Sequence, residues 1–216
     1  MKIIKAGYEI WTDISEGGIK ELQQIEKAAR TCYKSEDRIT EDGESAKKMV
    51  RGLIKSGHEA MLEHGGMTVK FIVDRGVSHE IVRHRLFSFA QESTRYCSYD
   101  KDKFGNEIIV IEPCFWDNGY PSNTWNLYNI WIASCQDAEK RYFELLKSGA
   151  TPQEARSVLP NSLKTELVVT GNWREWRHFF KLRTAPDAHP QIREVAQPLL
   201  DEMKSRIPIL FDDISY

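Results

Sequence analysis

One stretch of the chain, MTVKFIVDRGVSHEIVRHRL at residues 67–86, changes from the period of a strand to that of a helix. Apolar and polar side chains alternate over residues 67–73, which predicts a half-buried strand. A short helix is predicted next, with Ser78 as its N-cap and Ile81, Val82 and Leu86 on its inner face. Strand and helix therefore follow each other within a few residues.

The same patterns extend outward along the chain. Helical stripes occupy residues 17–33, 46–57, 122–148 and 190–203, and strand candidates occupy residues 1–11, 106–112 and 163–170. Two further helices have start signals, a capping box at Thr151-Pro-Gln-Glu154 and an Asn cap at Asn172-Trp-Arg-Glu175. Because the strands come singly between helices, we expect an α+β fold, with helices packed on a small mixed or antiparallel sheet, in a single domain over residues 1–216.

Charge and composition exclude several classes of protein. The net charge is −2, from 30 basic and 32 acidic residues, which gives no long-range attraction for nucleic acid or anionic membranes. The start, MKIIKAGYEIW, lacks the apolar core of a signal peptide, and the uncharged residues 118–136 are too polar for a membrane span. The four cysteines show no C-x-x-C spacing, so free thiols in a cytoplasmic protein are expected.

Three familiar motifs are absent or incomplete. There is no G-x-G-x-x-G and no phosphate-binding G-x-x-x-x-G-K-[ST], so any nucleotide cofactor is held without those loops. His79 and His84 resemble a zinc pair but stand five positions apart, roughly 140° around a helix, so no metal is expected. Cys97 has no neighbouring base, and a buried apolar role explains it better than a nucleophilic one.

Residues 83–96, RHRLFSFAQESTRY, carry the strongest chemical signal. They hold three arginines and a histidine, followed by amide and hydroxyl side chains, with one carboxylate, Glu92. A phosphate binds best to several charge-assisted donors at once, and this segment supplies them. The alternative is a solvated basic helix end, which the helix dipole favours.

This segment resembles the signature of the flavin-dependent thymidylate synthases, R-H-R followed seven residues later by S-x-R. Four other blocks agree in order: AARTCY at 28–33, GHE with LEH over 57–64, ARSVLP at 155–160, and Leu182-Arg183 followed by His189. The resemblance covers residues 28–196, which is most of the chain.

The resemblance implies that the chain methylates deoxyuridine monophosphate (dUMP) at C5 to give dTMP. Methylenetetrahydrofolate would supply the carbon and leave as tetrahydrofolate, and reduced FAD, itself reduced by NADPH, would supply the electrons. The family forms homotetramers whose active sites are shared between subunits. The partners implied are these small molecules and other copies of the chain, with no nucleic acid, membrane or metal.

The resemblance also implies a role for individual residues. Expected at the FAD are Ala60, Arg83, His84, Arg85, Gln91, Asn172, Trp173, Arg174, His178 and His189. Expected at the nucleotide are Glu80, Arg83, Gln91, Glu92, Ser93, Thr94, Arg95, Arg156 (from another subunit) and Arg183. His58 would stack on folate or flavin. Arg183 would be catalytic, lying against the uracil and favouring its ionised N3 form.

The residue types suit a reaction without a cysteine nucleophile. The other thymidylate synthase family raises electron density at C5 by adding a cysteine to C6, and no cysteine here is convincing for that role. An arginine at the N3 edge of the uracil can instead stabilise negative charge as it develops, because its guanidinium stays protonated when desolvated. Ser93 has no evident base, so phosphate binding explains it better than nucleophilic attack.

Three positions depart from the family pattern. Ala60 stands where members often carry Ser or Thr against FAD, and Cys32 where they often carry Ser. A two-residue insertion separates Arg183 from His189 relative to shorter members, which affects the placement of His189.

Other classes of protein stay open at this point. A nucleic-acid-binding module could use Arg83, Arg85 and Arg95 with the aromatic rings between them for stacking. A structural oligomer could use the same arginines in ion pairs across an interface. A different flavoprotein reaction on the same fold is a further alternative.

Overall fold

Strands form where the sequence alternates with period two. The computed structural model describes residues 1–96, 99, 105–116 and 122–216. Its strands are β1 (Lys2–Ile4), β2 (Gly7–Ile10), β3 (Gly66–Asp74), β4 (Ser88–Gln91), β5 (Ile109–Ile111) and β6 (Lys164–Asn172). The two longest, β3 and β6, alternate buried and half-buried residues along most of their length, as expected of sheet strands with one face on a core.

Helices form on the predicted apolar stripes. They are α1 (Ile19–Thr31), α2 (Glu44–Lys55), α3 (Arg75–Ile81), α4 (Ser122–Lys147), α5 (Pro152–Ala155), α6 (Trp173–Arg183), α7 (Pro190–Arg206) and α8 (Pro208–Phe211). The α+β class predicted from the sequence is confirmed. In the described part of the chain, none of these helices is long and apolar enough to cross a membrane.

Within the described residues, the strands form two small sheets rather than one. The larger has the order β2-β3-β6-β4, and the smaller pairs β1 with β5 in parallel, with Lys2 opposite Ile109. An antiparallel bridge joins Val110 to Leu163, so the pairing is mixed, as predicted. The segment predicted as one strand over residues 1–11 is two strands, and each joins a different sheet.

Contacts divide the chain into two compact units. The first unit comprises residues 1–7, 71–83 and 90–167, and its core includes Val110, Cys135, Tyr142 and Leu163. The second unit comprises residues 8–70, 84–89 and 168–216, and its core is rich in aromatic rings, including Phe87, Trp176, Phe179 and Phe211. A single domain over residues 1–216 stays a prediction.

The N-termini of three helices can be compared with the caps predicted from the sequence. The capping box is confirmed, because the backbone N–H of Thr151 donates to the Glu154 carboxylate at 2.7 Å. The Asn cap is confirmed as well, because Asn172 Oδ1 accepts from the backbone N–H of Glu175 at 2.9 Å. Ser78 as an N-cap is wrong. Asp74 caps α3 by accepting from the backbone N–H of Val77 at 2.7 Å, since the strand runs straight into the helix without a loop.

Candidate functional site

The first unit contains a cleft of about 490 Å³ with a basic lining. Arg75 and His79 from α3 line it together with Thr94 and Arg156. Arg156 Nη1 donates to Thr94 Oγ1 at 3.2 Å, so two of the residues expected at the nucleotide meet within one chain. The contribution of Arg156 from another subunit stays a prediction. Two guanidinium groups, an imidazole and a hydroxyl together are suited to an anion such as a phosphate.

The loop after β4 carries the predicted S-x-R element. Its backbone is held on both sides, because Glu92 N–H donates to Glu166 O at 2.9 Å and Arg95 N–H donates to Ser93 Oγ at 3.3 Å. Thr94 is buried, whereas Arg95 is exposed, with its guanidinium carbon 5.5 Å from the centre of the Tyr96 ring. The loop thus fixes the backbone and leaves a cationic side chain at the surface.

A half-buried lysine pairs with two carboxylates beside this loop. Lys164 Nζ lies 3.0 Å from Glu92 and 2.9 Å from Glu166. Burial lowers the pKa of Lys164, but hydrogen bonds to Glu166 and Glu92 outweigh it, so the pKa ends above its usual range. The predicted substrate contact at Glu92 is therefore paired with a cation, which reduces its repulsion of a phosphate.

Three other residues of this unit that were expected at the nucleotide or the flavin are not among those that line the cleft. Gln91 Nε2 donates to Ser78 Oγ at 2.9 Å and to Thr165 Oγ1 at 3.3 Å, so its amide is held against α3 and β6. Glu80 is half-buried near the end of α3, and Arg83 is exposed just beyond that end.

A buried histidine organises the candidate site of the second unit. His84 is 4% exposed, and its Nδ1 lies 3.1 Å from Glu175 Oε1. Arg183 Nε donates to His84 Nε2 at 3.0 Å. Because an arginine N–H can only donate, His84 Nε2 must be an acceptor, and the ring proton is on Nδ1, where it donates to Glu175. Glu175, His84 and Arg183 therefore form one chain of hydrogen bonds.

Local packing fixes this arrangement. The segment after His84 turns back on itself, with Phe87 N–H donating to His84 O at 3.0 Å. The Phe87 ring packs on Gly171 of β6, where an added Cβ would lie 2.0 Å from a ring carbon, so only glycine fits. Glu175 and His178 are three positions apart on α6 and share a face, which brings the His178 ring to 5.5 Å from that of His84.

Electrostatics keep His84 neutral. Burial, then the charge of Arg183, then His178, lower the pKa of His84 to about 4. Burial raises the pKa of Glu175, opposed by His178 and Arg174. His84, Glu175 and His178 each offer one atom that could ligate a metal, and these atoms lie within 4.8 Å of one another, as in a cation site. The chemistry of the donor set does not suit a cation, because the Arg183 guanidinium already binds the same imidazole and would repel one.

We predict a pH-dependent loss of stability that originates at His84. Its pKa is about 4 in the folded chain against a reference value of 6.5, so the unfolded chain binds more protons between these values. Its contribution to stability is therefore complete above about pH 6.5 and is lost as the pH falls toward 4. Between pH 7 and pH 5 this term lowers the free energy of unfolding by about 2 kcal/mol.

Urea unfolding of wild-type protein and His84→Asn at both pH values measures this term. His84→Asn lacks the titrating group and is expected to lose about 2 kcal/mol less than wild type between pH 7 and pH 5. An equal loss in both proteins would contradict the prediction.

The second unit contains a cleft of about 560 Å³ that includes polar residues expected near a flavin. It is lined by Asn172, Arg174, His178, Lys181 and Leu86, together with acidic residues. Arg174 Nη1 donates to Glu63 at 2.6 Å, and the Leu86 side chain is exposed. Amide and cationic donors beside an exposed apolar side chain suit the planar, polar-edged ring of a flavin, whereas the carboxylates of Glu59, Glu63 and Glu175 in the same lining disfavour a phosphate there.

Other predicted flavin and folate positions lie elsewhere in this unit. His58, Ala60, Arg85 and His189 are exposed, and His189 stands at the N-terminus of α7. Trp173 is 1% exposed and packs against Phe211, and its indole N–H has no hydrogen-bond partner within the described residues. The Trp173 side chain therefore belongs to the core of this unit. Cys97 lies outside the described residues.

Sequence reasoning missed several residues of these sites. Arg75 and His79 share one face of α3 four positions apart, a spacing that could have indicated them. Glu175 was recognised only as a residue of a helix start, and Lys164 was not singled out. The partner of Glu175 lies 91 positions away in the sequence and one partner of Lys164 lies 72 positions away, so no local pattern could have revealed these two pairs.

Comparison with known proteins identifies the family. The chain is 31% identical over 217 residues to the flavin-dependent thymidylate synthase of Corynebacterium aurimucosum, covering 93% of this chain and 83% of that protein. The homologous enzyme of Mycobacterium marinum is 31% identical over 219 residues, covering 94% and 82%. The crystal structure of the UMP/dUMP methylase PolB from Streptomyces cacaoi, bound with 5-Br dUMP, aligns with a TM-score of 0.79 at 25% identity, covering 98% and 96%.

Fold and relatives define this chain as an enzyme of the flavin-dependent thymidylate synthase class. It belongs to the family described as thymidylate synthase complementing protein, whose model matches residues 19–209. The family predicted from the sequence motifs is confirmed.

Proposed function

We propose that this chain methylates dUMP at C5 and forms dTMP. The one-carbon unit comes from methylenetetrahydrofolate, and tetrahydrofolate is released. A flavin, FAD, supplies when bound the two electrons that the transferred carbon needs to become a methyl group, and NADPH restores its reduced form. The observation that carries the proposal is the contact between Arg183 and His84 inside the R-H-R segment of a chain of this family.

The phosphate of the nucleotide is assigned to the first unit. Arg156 and Thr94 in the cleft, with Ser93 and Arg95 on the adjacent loop, supply guanidinium and hydroxyl donors. Several charge-assisted bonds of this kind give both affinity and a fixed orientation of a phosphate. The pairing of Glu92 with Lys164 supports the assignment, because it removes an unpaired negative charge next to the loop.

The uracil is assigned to Arg183. Attack by C5 on the one-carbon donor needs electron density on the ring, and ionisation at N3 supplies it as negative charge shared by N3 and the neighbouring carbonyl oxygens. A guanidinium that is already oriented stabilises this charge without reorganising at the moment of reaction. The hydrogen bond to His84 orients the guanidinium of Arg183 through its Nε–H.

The flavin is assigned to Arg83, His84 and Arg85 with residues of the cleft in the second unit. Asn172, Arg174 and His178 would bind and orient it, and His58 would contact the folate or the flavin. Trp173 would support the flavin residues from the core, because its side chain is buried and its backbone N–H donates to Gly65 O at 3.1 Å. We further propose a homotetramer with shared active sites, which size measurement by light scattering would test.

A drop-out assay tests the proposed reaction. The purified chain with dUMP, methylenetetrahydrofolate, FAD and NADPH is expected to form dTMP. Omission of dUMP, methylenetetrahydrofolate or NADPH, or prior removal of the bound flavin without adding FAD back, is expected to abolish product. The matched comparison replaces dUMP with UMP. Faster methylation of UMP than of dUMP would contradict the substrate assignment.

The visible absorption spectrum tests the cofactor separately. We expect an oxidised-flavin band that shifts when dUMP is added. A colourless protein that takes up no added FAD would overturn the cofactor assignment. Salt-dependent binding of oligonucleotides by that protein would then favour the nucleic-acid-binding alternative.

A further inference from the structure

We infer that Glu175 is a positioning residue for Arg183, acting through His84. The carboxylate of Glu175 holds the imidazole of His84, and the imidazole holds the guanidinium of Arg183. The inference deepens the proposed function and rests on it for the role of Arg183 at the uracil. The arrangement itself is read from the hydrogen bonds of the second unit.

The direction of the hydrogen bonds makes the three groups interdependent. Arg183 donates to His84 Nε2, and this requires the proton to be on Nδ1. A buried Nδ1–H without an acceptor is costly, and Glu175 Oε1 at 3.1 Å is that acceptor. Without Glu175 the ring could rotate or change tautomer, and a change of tautomer would put an N–H opposite the N–H of Arg183.

Comparison of two helix starts shows that Glu175 does more than cap α6. Glu154 and Glu175 occupy the same third position in α5 and α6. Glu154 turns back to the backbone N–H of its own N-cap at 2.7 Å, the usual role of an acid there. Glu175 instead contacts His84, which is 91 positions away, and its side chain is only 6% exposed. Burial of a carboxylate is unfavourable unless it is hydrogen-bonded, and that bond goes to His84.

Aromatic packing limits what else can hold the ring. His84 lies 5.2 Å from Phe179, in an edge-on contact, and 5.8 Å from Phe87. These contacts restrict the position of the imidazole but supply no acceptor for its Nδ1–H. Rotation of the His84 imidazole within its own plane is therefore restricted by its two hydrogen bonds, to Glu175 and Arg183.

Two substitutions at Glu175 test the inference. Glu175→Leu removes the acceptor at similar volume, whereas Glu175→Gln keeps an oxygen that can accept from Nδ1–H. We expect Glu175→Leu to lower kcat for dTMP formation by about 10- to 100-fold with KM for dUMP within about threefold, because misorientation of a charge-stabilising group acts on the transition state. Glu175→Gln is expected within about threefold of wild type. Glu44→Leu, which removes an exposed acid from the first turn of α2, is the matched control and is expected to match wild type.

Nuclear magnetic resonance provides a readout that does not depend on the reaction. In histidine-labelled protein we expect a downfield Nδ1 proton from His84, protected from exchange, in wild type and Glu175→Gln. Its loss in folded Glu175→Leu is expected. If Glu175→Leu does not fold, the spectrum of the wild-type protein still tests the inference. Absence of a protected His84 Nδ1 proton from that spectrum would overturn it.

The outcomes separate the inference from the proposed function. If wild type forms no dTMP, the proposed function fails, and the proton signal still tests the chain of hydrogen bonds. If wild type is active and folded Glu175→Leu has an unchanged kcat, the inference fails and the proposed function stands. A loss of kcat in Glu175→Leu that Glu175→Gln restores, together with the proton signal, would support both.

Discussion

Arg183→Ala is expected to keep its bound flavin and to methylate dUMP about 10²- to 10³-fold more slowly than wild type. The magnitude is that of removing one preoriented donor from a site where negative charge develops. The half-buried position of Arg183 and its bond to His84 indicate that the guanidinium is oriented before substrate arrives. The loss is expected mainly in kcat, because Arg183 stabilises the activated form of uracil that the chemical step requires.

The measurement combines steady-state kinetics with flavin content from the visible spectrum. Arg183→Lys separates charge from geometry: it keeps a cation but lacks the planar fork, so we expect it to recover only a small part of the lost rate. Arg206→Ala, which removes an exposed arginine paired with Glu202 on α7, is the matched control and should leave the rate unchanged. Loss of flavin from Arg183→Ala, with normal turnover after reconstitution, would contradict the uracil assignment.

The fold could be predicted from the sequence wherever a local rule was sufficient. The alternation at residues 67–73 and the caps at Thr151 and Asn172 depend only on neighbouring residues, and the structure confirms them. Ser78 failed as a cap because two acceptors competed for one helix start. Asp74 is at the point where β3 ends, so its side chain reaches the first turn, whereas Ser78 is already inside the helix and donates to Arg75 O.

Strand pairing needed information that no local pattern contains. Residues 1–11 read as one strand, but β1 and β2 join different sheets, and the partners of β1 lie more than 100 residues away. The period of two reports only which side chains share a face. It carries no information about which strand will supply the hydrogen bonds.

The candidate sites show the same limit. The R-H-R segment was recognisable because its residues are adjacent, and the family resemblance added Arg183. The role of Glu175 was invisible, because it arises from one hydrogen bond across 91 positions and from the burial of both partners. Neutral His84 was equally unpredictable, since a sequence shows a histidine but not the desolvation that sets its pKa.

Arg95→Ala is expected to weaken binding of dUMP roughly 10- to 150-fold. A hydrogen bond to a charged group contributes about 1.5–3 kcal/mol, which corresponds to this range. Arg95 is exposed at the end of the S-x-R element, on a loop whose backbone is fixed by Ser93 and Glu166. The loss is expected in affinity rather than in kcat, because the phosphate does not change charge during methyl transfer at C5.

Deoxyuridine distinguishes a phosphate contact from a general defect. Titration of the flavin band with dUMP and with deoxyuridine gives both affinities in wild type and in Arg95→Ala. If Arg95 binds the phosphate, only the affinity for dUMP falls, and the two ligands bind Arg95→Ala with more similar affinity than they bind wild type. Arg141→Ala, on the exposed face of α4 in the same unit, removes a cation of equal charge as the matched control. Because electrostatic attraction of an anion by net charge alone would respond equally to both substitutions, a selective effect at Arg95 requires direct contact. An equal loss of affinity for dUMP and deoxyuridine would show instead that Arg95 supports the loop rather than the phosphate.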